Sequence, residues 1–291
     1  MSSKNTNLNK ARKKQDDEFY TRYEDIAQEV VQYKEQLKGK RIYCPCDWDE
    51  SFERVVCYDE KQPDEEITNK IKSTKCKFVE YLVTRAPDFG IKRVEASGYN
   101  PTTKQGIRFQ DVDYSDVDIV ITNPPFSQFT EFIDVMFENN LKFIVIGPLH
   151  AIKYKECFKY IKENKLWLGY TRTIKGFVRP DGSLKSTPAL WYTNLDVSYR
   201  NKEIILTEEY SPEKYPKYDN FDAIEVSKQK DIPQDYYEPM GVPIRFLQNY
   251  NPEQFEILGE LNHGSDNEYD FAKPVVAGKE IYSRILIQRK K

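Results

Sequence analysis

Asp118-Ile119-Val120-Ile121-Thr122-Asn123-Pro124-Pro125-Phe126 is the stretch from which the fold of this chain is read. An apolar, β-branched run meets an asparagine and two prolines, the pattern of a buried strand stopped at its carboxyl end. Proline fixes φ, lacks an N–H donor and pushes the residue before it out of the α region, so Asn123 is held by rigid neighbours. In an open α/β sheet, ligands bind at the carboxyl ends of the strands. The Asn123 amide oxygen and the Pro124 carbonyl are two acceptors that suit the two N–H groups of a planar amine, and Phe126 supplies a face for the ring that carries it. A bare Xaa-Pro-Pro is most often a stiff turn. Strand, Asn, two prolines and an aromatic in this order favour chemistry at the turn.

The chain on either side alternates helix and strand. Ile26, Val30, Tyr33 and Leu37 share one helical face that ends at Gly39, and Arg41 to Cys46 reads as the first strand. Cys76 to Ala86 reads as a helix closed by Pro87, Ile91 to Ala96 as a strand, and Ile107 to Phe109 as a short one. After the central strand, Phe129, Phe132, Ile133, Met136 and Phe137 mark a helix, Phe143 to Ile146 a strand, Tyr154 to Ile161 a helix and Leu166 to Tyr170 a strand. The expected fold is therefore α/β, a doubly wound and mainly parallel sheet. Beyond a glycine- and proline-containing loop and the strand Ala189 to Thr193, helical periodicity is weak, which predicts an irregular C-terminal region. Three parts are expected: a basic flexible arm (1–16), a catalytic domain (17–193) with an acidic insertion at about 50–74, and a C-terminal recognition region (194–291).

Composition narrows the class. The 291 residues contain no apolar run of membrane-spanning length, and the N-terminus is polar and basic, so a cytoplasmic protein without a membrane partner is expected. Five cysteines make an odd set in a large chain, the pattern of reduced thiols. Cys44-Pro45-Cys46 has no second cysteine pair or nearby histidine, so no metal is expected. Net charge is −3, but residues 47–66 hold nine acidic and two basic side chains, a local −7 that leaves +4 elsewhere. Residues 1–14 carry Lys4, Lys10, Arg12, Lys13 and Lys14 without an acid, either a solvated tail or an arm for phosphates.

Taken together, Asp17-Glu18-Phe19-Tyr20-Thr21, the first strand and Asn-Pro-Pro-Phe resemble the DNA adenine-N6 methyltransferases, and more narrowly the EcoRI-type adenine-specific family. The closer match is carried by Lys10 to Lys14, by Ile42-Tyr43-Cys44 with Cys46-Asp47, by Tyr215 to Asn220, and by Met240-Gly241-Val242-Pro243 with Asn251 to Phe255. The resemblance implies a Rossmann-like catalytic domain, S-adenosyl-L-methionine as methyl donor, double-stranded DNA as substrate, base flipping and action as a monomer. By the same resemblance Asn123, Pro124, Pro125 and Phe126 are catalytic. Phe19, Tyr20, Thr21, Cys44, Pro45, Cys46, Asp47 and Asp111 fall at cofactor-binding positions. Asp111 also reads as a solvated loop carboxylate, and Cys46 as a small buried hydrophobe. The glycine-rich cofactor loop of the broad family is absent, and the turn after Ala96 lacks its usual acid. Lys13, Lys14, Arg172, Lys175 and Arg179 are expected to meet DNA. Phe177 is either a second face for the base or a core residue. RNA-base and protein-glutamine methyltransferases share the Asn-Pro-Pro turn, and a non-catalytic DNA-binding relative is the further alternative.

Overall fold

Ile119–Thr122 is buried along its whole length, as a strand with parallel neighbours on both sides must be. In the computed structural model it pairs in parallel with Arg41–Cys44 and with Lys142–Pro148. Arg41–Cys44 in turn runs parallel to Arg93–Ala96. The flanks are antiparallel: Val55–Asp59 lies along Arg93–Ala96 with a bulge between Val56 and Tyr58, and Ala189–Thr193 lies along Lys142–Pro148. Six of the sheet's seven strands lie in the order Val55–Asp59, Arg93–Ala96, Arg41–Cys44, Ile119–Thr122, Lys142–Pro148, Ala189–Thr193. The structure describes residues 20–47, 53–62, 64–73, 76–171, 174, 176–179, 182–262 and 270–291.

Side chains alternate across these strands and find helices on each face. Ile42, Ile119, Ile121, Ile144 and Trp191 join Ile26 and Val30 of the helix Tyr23–Val30 and Phe78 and Leu82 of the helix Lys77–Phe89 in one buried cluster. On the other face, Phe143 and Tyr192 meet Phe137 and Phe129 of the helix Phe129–Glu138, with ring centroids 5.6 and 5.0 Å apart. Each such aromatic contributes about 1.5–3 kcal/mol by leaving water.

Several expectations are refined. The first helical stretch is Tyr23–Val30, a 3-10 turn Val31–Tyr33 and Lys34–Leu37, followed by Gly39 at φ +72°. The second helix does not stop before Pro87 but runs to Phe89. In the last turn a proline forfeits only one hydrogen bond, and the end is set by Gly90, where Gly90 N–H reaches Pro87 O and Ile91 N–H reaches Ala86 O. Ile107 to Phe109 is not a strand. Tyr99–Asn100 and Gln105–Gly106 form the pairing there, and Phe109 begins a 3-10 turn that buries its ring 5.1 Å from Phe132.

The acidic stretch supplies the edge strand Val55–Asp59 and the helix Glu65–Ser73. Arg54 fastens it: its Nη2 donates to Glu95 Oε2 at 2.5 Å and to Asp116 Oδ1 at 2.7 Å, its Nη1 to Asp113 O at 3.0 Å, and its guanidinium lies 4.9 Å from the Tyr43 ring centre. These carboxylates hold the Arg54 pKa above its ordinary value against the effect of burial.

By contacts the chain separates into two units, one of the described residues up to Ala151 with Gly169–Leu195, the other of Ile152–Leu168 with Asp196–Lys291. The second is more regular than its sequence implied. It has a five-stranded sheet in the order Ile224–Glu225, Met240–Val242, Arg284–Arg289, Phe255–Leu261, Asp270–Phe271. Its strands run from two to seven residues, mostly too short for a period-2 pattern to register. The helix Lys155–Lys162 packs on Phe255–Leu261 and so clusters here rather than with the strands that precede it. Inside, Glu225 accepts from Arg284 Nη2 at 2.6 Å and from the Tyr218 hydroxyl at 2.6 Å, a paired and hydrogen-bonded buried charge. No helix among the described residues is long and apolar enough to cross a membrane.

Arg54→Ala removes the cation that Glu95 and Asp116 share, and Glu95 is only 6% exposed. We expect a loss of about 1–3 kcal/mol in urea denaturation. An unchanged midpoint would show that strand pairing and apolar contacts hold the acidic stretch without Arg54.

Candidate active site

The carboxyl ends of three neighbouring strands are laced together. Thr122 is fully buried, and its hydroxyl donates to Asp47 Oδ2. Asp47 follows the Pro45–Cys46 turn after Arg41–Cys44, and its N–H donates to Ser97 O at 3.1 Å. Ser97 N–H donates back to Cys44 O at 3.0 Å, and Ser97 Oγ lies 2.5 Å from the Tyr43 hydroxyl. Asn123 therefore leaves a strand end whose last side chain is tied to the turn beside it.

Asn123 Oδ1 is buried, Pro124 is buried, and Pro125 and Phe126 are half-buried. Pro125, at φ −55° and ψ 125°, turns the chain into the 3-10 segment Phe126–Gln128, which leads into the helix Phe129–Glu138. The Phe126 ring meets Phe177 edge-on, with centroids 5.7 Å apart and planes at 88°. Phe177–Val178 pairs antiparallel with Tyr20–Thr21, Thr21 opposite Phe177, and with Leu184–Lys185 on its other side. Thr21 is 4% exposed, and its buried hydroxyl has no hydrogen-bond partner among the described residues.

The structure thus gathers Asn123 to Phe126 with Phe177, and Phe177 with Tyr20 and Thr21, while Asp47 reaches Thr122 from the Cys44–Asp47 turn. Of the two readings of Phe177, the core position describes it, because the ring is 0% exposed and offers no free face. Asp111 lies in the separate 3-10 turn Phe109–Asp111, exposed and ion-paired with Arg108 at 3.3 Å, as a solvated carboxylate would be. Arg179 closes the turn between Val178 and Leu184, its N–H donating to Ser183 O at 2.8 Å. Lys13, Lys14, Phe19, Arg172 and Lys175 lie outside the described residues.

Burial pushes the Cys44 and Cys46 thiols up, with the Asp47 carboxylate adding to the effect, so both are protonated at neutral pH. All five cysteines are free, and among the described residues no three or more His, Cys, Asp or Glu side chains are grouped to hold a metal.

Two residues at the site were missed by sequence reasoning. Thr122 and Ser97 act through hydroxyls that look like ordinary strand and turn residues.

The sheet thus carries Asn-Pro-Pro-Phe at the carboxyl end of its central strand, where the Asn123 and Pro124 oxygens are two acceptors that suit a planar amino group. Comparison of the sequence with known proteins narrows the class. The chain belongs to the family described as adenine-specific methyltransferase EcoRI, whose pattern matches residues 7–116 and 111–290. It is 36% identical over 343 residues to the Type II methyltransferase M.EcoRI of Escherichia coli, covering 98% of this chain and 96% of that relative. It is also 30% identical to the Type II methyltransferase M.MpnI of Mycoplasma pneumoniae, over 86% of this chain and 84% of the relative. Type II methyltransferase M.MgeORF184P of Mycoplasma genitalium is 31% identical over 86% of this chain and 85% of its own. No solved structure gives a significant match.

With their pKa values raised by burial, Cys44, Cys46 and Cys57 should react slowly with a thiol reagent in the native protein. At pH 7.5 we expect labelling on the order of 100-fold slower than for a free thiol, which has a pKa of about 8.5. All five cysteines should react after unfolding. One fast native equivalent, mapped to Cys46, would contradict the burial argument.

Proposed function

We propose that the protein is a site-specific DNA adenine-N6 methyltransferase that uses S-adenosyl-L-methionine and acts on an adenine flipped out of the duplex. The observation that carries this reading is Asn123-Pro124-Pro125-Phe126 at the carboxyl end of the central strand, beside the Asp47–Thr122 hydrogen bond. Membership of an adenine-specific methyltransferase family supports it.

The residues fit the cofactor. Its ribose and amino-acid groups need polar partners, and the strand ends hold the Asp47 carboxylate and the buried, unpartnered Thr21 hydroxyl. Tyr20, Thr21 and the Cys44–Asp47 turn are the residues assigned to hold it, in a Rossmann-like, doubly wound domain. When bound, S-adenosyl-L-methionine supplies a methyl group already activated by its sulfonium.

This chain's residues do the rest. An adenine N6 inside a duplex is out of reach, so the base leaves the stack at a cost of a few kcal/mol. Asn123 Oδ1 and the Pro124 carbonyl accept from its two N–H groups, localise the nitrogen lone pair and aim it. Phe126 stacks on the ring, and Phe177 holds Phe126 edge-on from behind. The N6 proton is lost to solvent after transfer, and no thiolate takes part.

Residues 17–193 are assigned the catalytic role, 194–291 the reading of the DNA sequence, and the basic arm 1–16 with Arg172, Lys175 and Arg179 the phosphates. A monomer in a restriction–modification or phage or mobile-element setting is the corresponding biology. RNA-base and protein-glutamine methylation remain the other uses of this turn. The long C-terminal region with the basic loop favours a nucleic-acid duplex over a single protein loop.

Asn123→Ala should abolish methylation, chiefly in kcat, while DNA and cofactor affinities stay within a few-fold. Phe126→Ala should weaken capture of the base by roughly 1–3 kcal/mol, whereas Phe126→Tyr keeps a stacking face. Transfer of tritium from labelled cofactor to DNA, RNA and protein acceptors measures both variants and separates the three substrate classes. Near-normal turnover by Asn123→Ala, or label in protein alone, would sink the proposal.

Deleting residues 2–14 should make DNA affinity less salt-dependent. The slope of log affinity against log salt should fall by about 0.9 for each phosphate that the arm no longer neutralises. Titration across a salt series checks this. An unaltered slope would make the arm a tail that does not touch DNA.

A further inference from the structure

The first helix buries a carboxylate that none of the roles above uses. Glu29 is 0% exposed, and burial pushes its pKa up while its hydrogen-bond donors pull the other way. Its Oε1 accepts from the Tyr33 hydroxyl at 2.8 Å and from Tyr170 N–H at 2.8 Å; its Oε2 accepts from Thr171 N–H at 2.6 Å. Taking a carboxylate out of water costs several kcal/mol, and charge-assisted bonds to backbone N–H groups are what offset it. Two of those donors come from a segment about 140 residues later in the chain, at the point where it starts toward Phe177.

The approach is close by construction. A Cβ on Gly169 would stand 2.2 Å from Glu29 Oε1 and 2.6 Å from Trp191 Cβ, so only glycine lets the backbone reach the carboxylate. Gly169 N–H is itself bound to Trp191 O at 2.9 Å. The Tyr170 ring then meets Tyr33 edge-on, with centroids 5.3 Å apart. At the far end of the same segment, Phe177 is paired with Thr21, two residues before the helix that carries Glu29. One short piece of chain, Thr21 to Glu29, therefore grips the loop at both of its ends.

We propose that Glu29 is a positioning residue of the methyl-transfer site: its buried carboxylate fixes the backbone at Tyr170–Thr171 and, with the Thr21–Phe177 pairing, holds Phe177 edge-on against Phe126. This assignment rests on the reading of Phe126 as the base-stacking residue.

The test is Glu29→Gln. Its amide nitrogen presents donors where Thr171 N–H also donates, so one bond is lost with little change in volume. By hydrogen–deuterium exchange, the amides of Tyr170 and Thr171 should exchange at least about ten-fold faster, while those of Ile119 to Thr122 stay protected. Single-turnover methylation should fall about ten-fold, as should that of Phe177→Leu, and the double variant should fall no further than either. Cofactor affinity should stay within about two-fold. Unchanged exchange in a folded Glu29→Gln protein, or losses that multiply in the double variant, would overturn the assignment. If Glu29→Gln does not fold, Tyr33→Phe removes one donor only and should still speed exchange at Tyr170 and Thr171 two- to three-fold; no change there overturns it equally. A wild-type protein that transfers no methyl group to DNA would instead remove the methyltransferase reading, and the exchange arms would still judge the clamp.

Discussion

The proposed catalytic turn is anchored by one hydrogen bond across neighbouring strand ends, from the Thr122 hydroxyl to the Asp47 carboxylate. A parallel sheet brings the carboxyl ends of its strands together but leaves the turns beyond them free to diverge. Here the turn after Arg41–Cys44 is tied to the central strand through Asp47 and to the neighbouring strand through the Ser97 backbone. A bond to an ionised acceptor contributes about 1.5–3 kcal/mol, enough to restrict both turns strongly. The proline pair then holds Asn123 against that fixed strand end and sets the path to Phe126, without needing a glycine-rich loop.

The same logic organises the aromatic side of the site. Phe126 is half-buried and packs in part against the core cluster. A fully buried neighbour, Phe177, supports its edge, and that neighbour depends on backbone pairing with Thr21. Rigidity is passed from the core to this half-buried ring through that edge contact and through its packing on the core cluster.

Much of this was legible in the residues. Strands with parallel neighbours need continuous apolar runs, and Ile119 to Thr122 and Phe143 to Ile146 announce themselves that way. Asn123 to Phe126 is contiguous, so its order alone identifies the turn. What escaped detection was of two kinds. Single polar atoms that act across long separations, such as Glu29 on Thr171 or Thr122 on Asp47, leave no local pattern beyond a polar residue on an apolar face. Short strands in the second unit, only two or three residues long at Ile224–Glu225 and Met240–Val242, cannot display a period. Pro87 misled for a simpler reason: a proline breaks a helix interior, but in the last turn it removes a single bond.

The strand fastened by Arg54 also bears on how the protein behaves in a crowded solution. Without Val55–Asp59, the strand Arg93–Ala96 would present a row of open backbone donors and acceptors, a template onto which a second chain could add. The strand that covers it is poorly suited to recruit another in its turn, being bulged between Val56 and Tyr58 and flanked by Glu53, Asp59 and Glu60. Like charges and a kinked backbone both oppose strand addition. The acidic stretch thereby gives a sheet that must stay open at its carboxyl ends a side edge that resists aggregation.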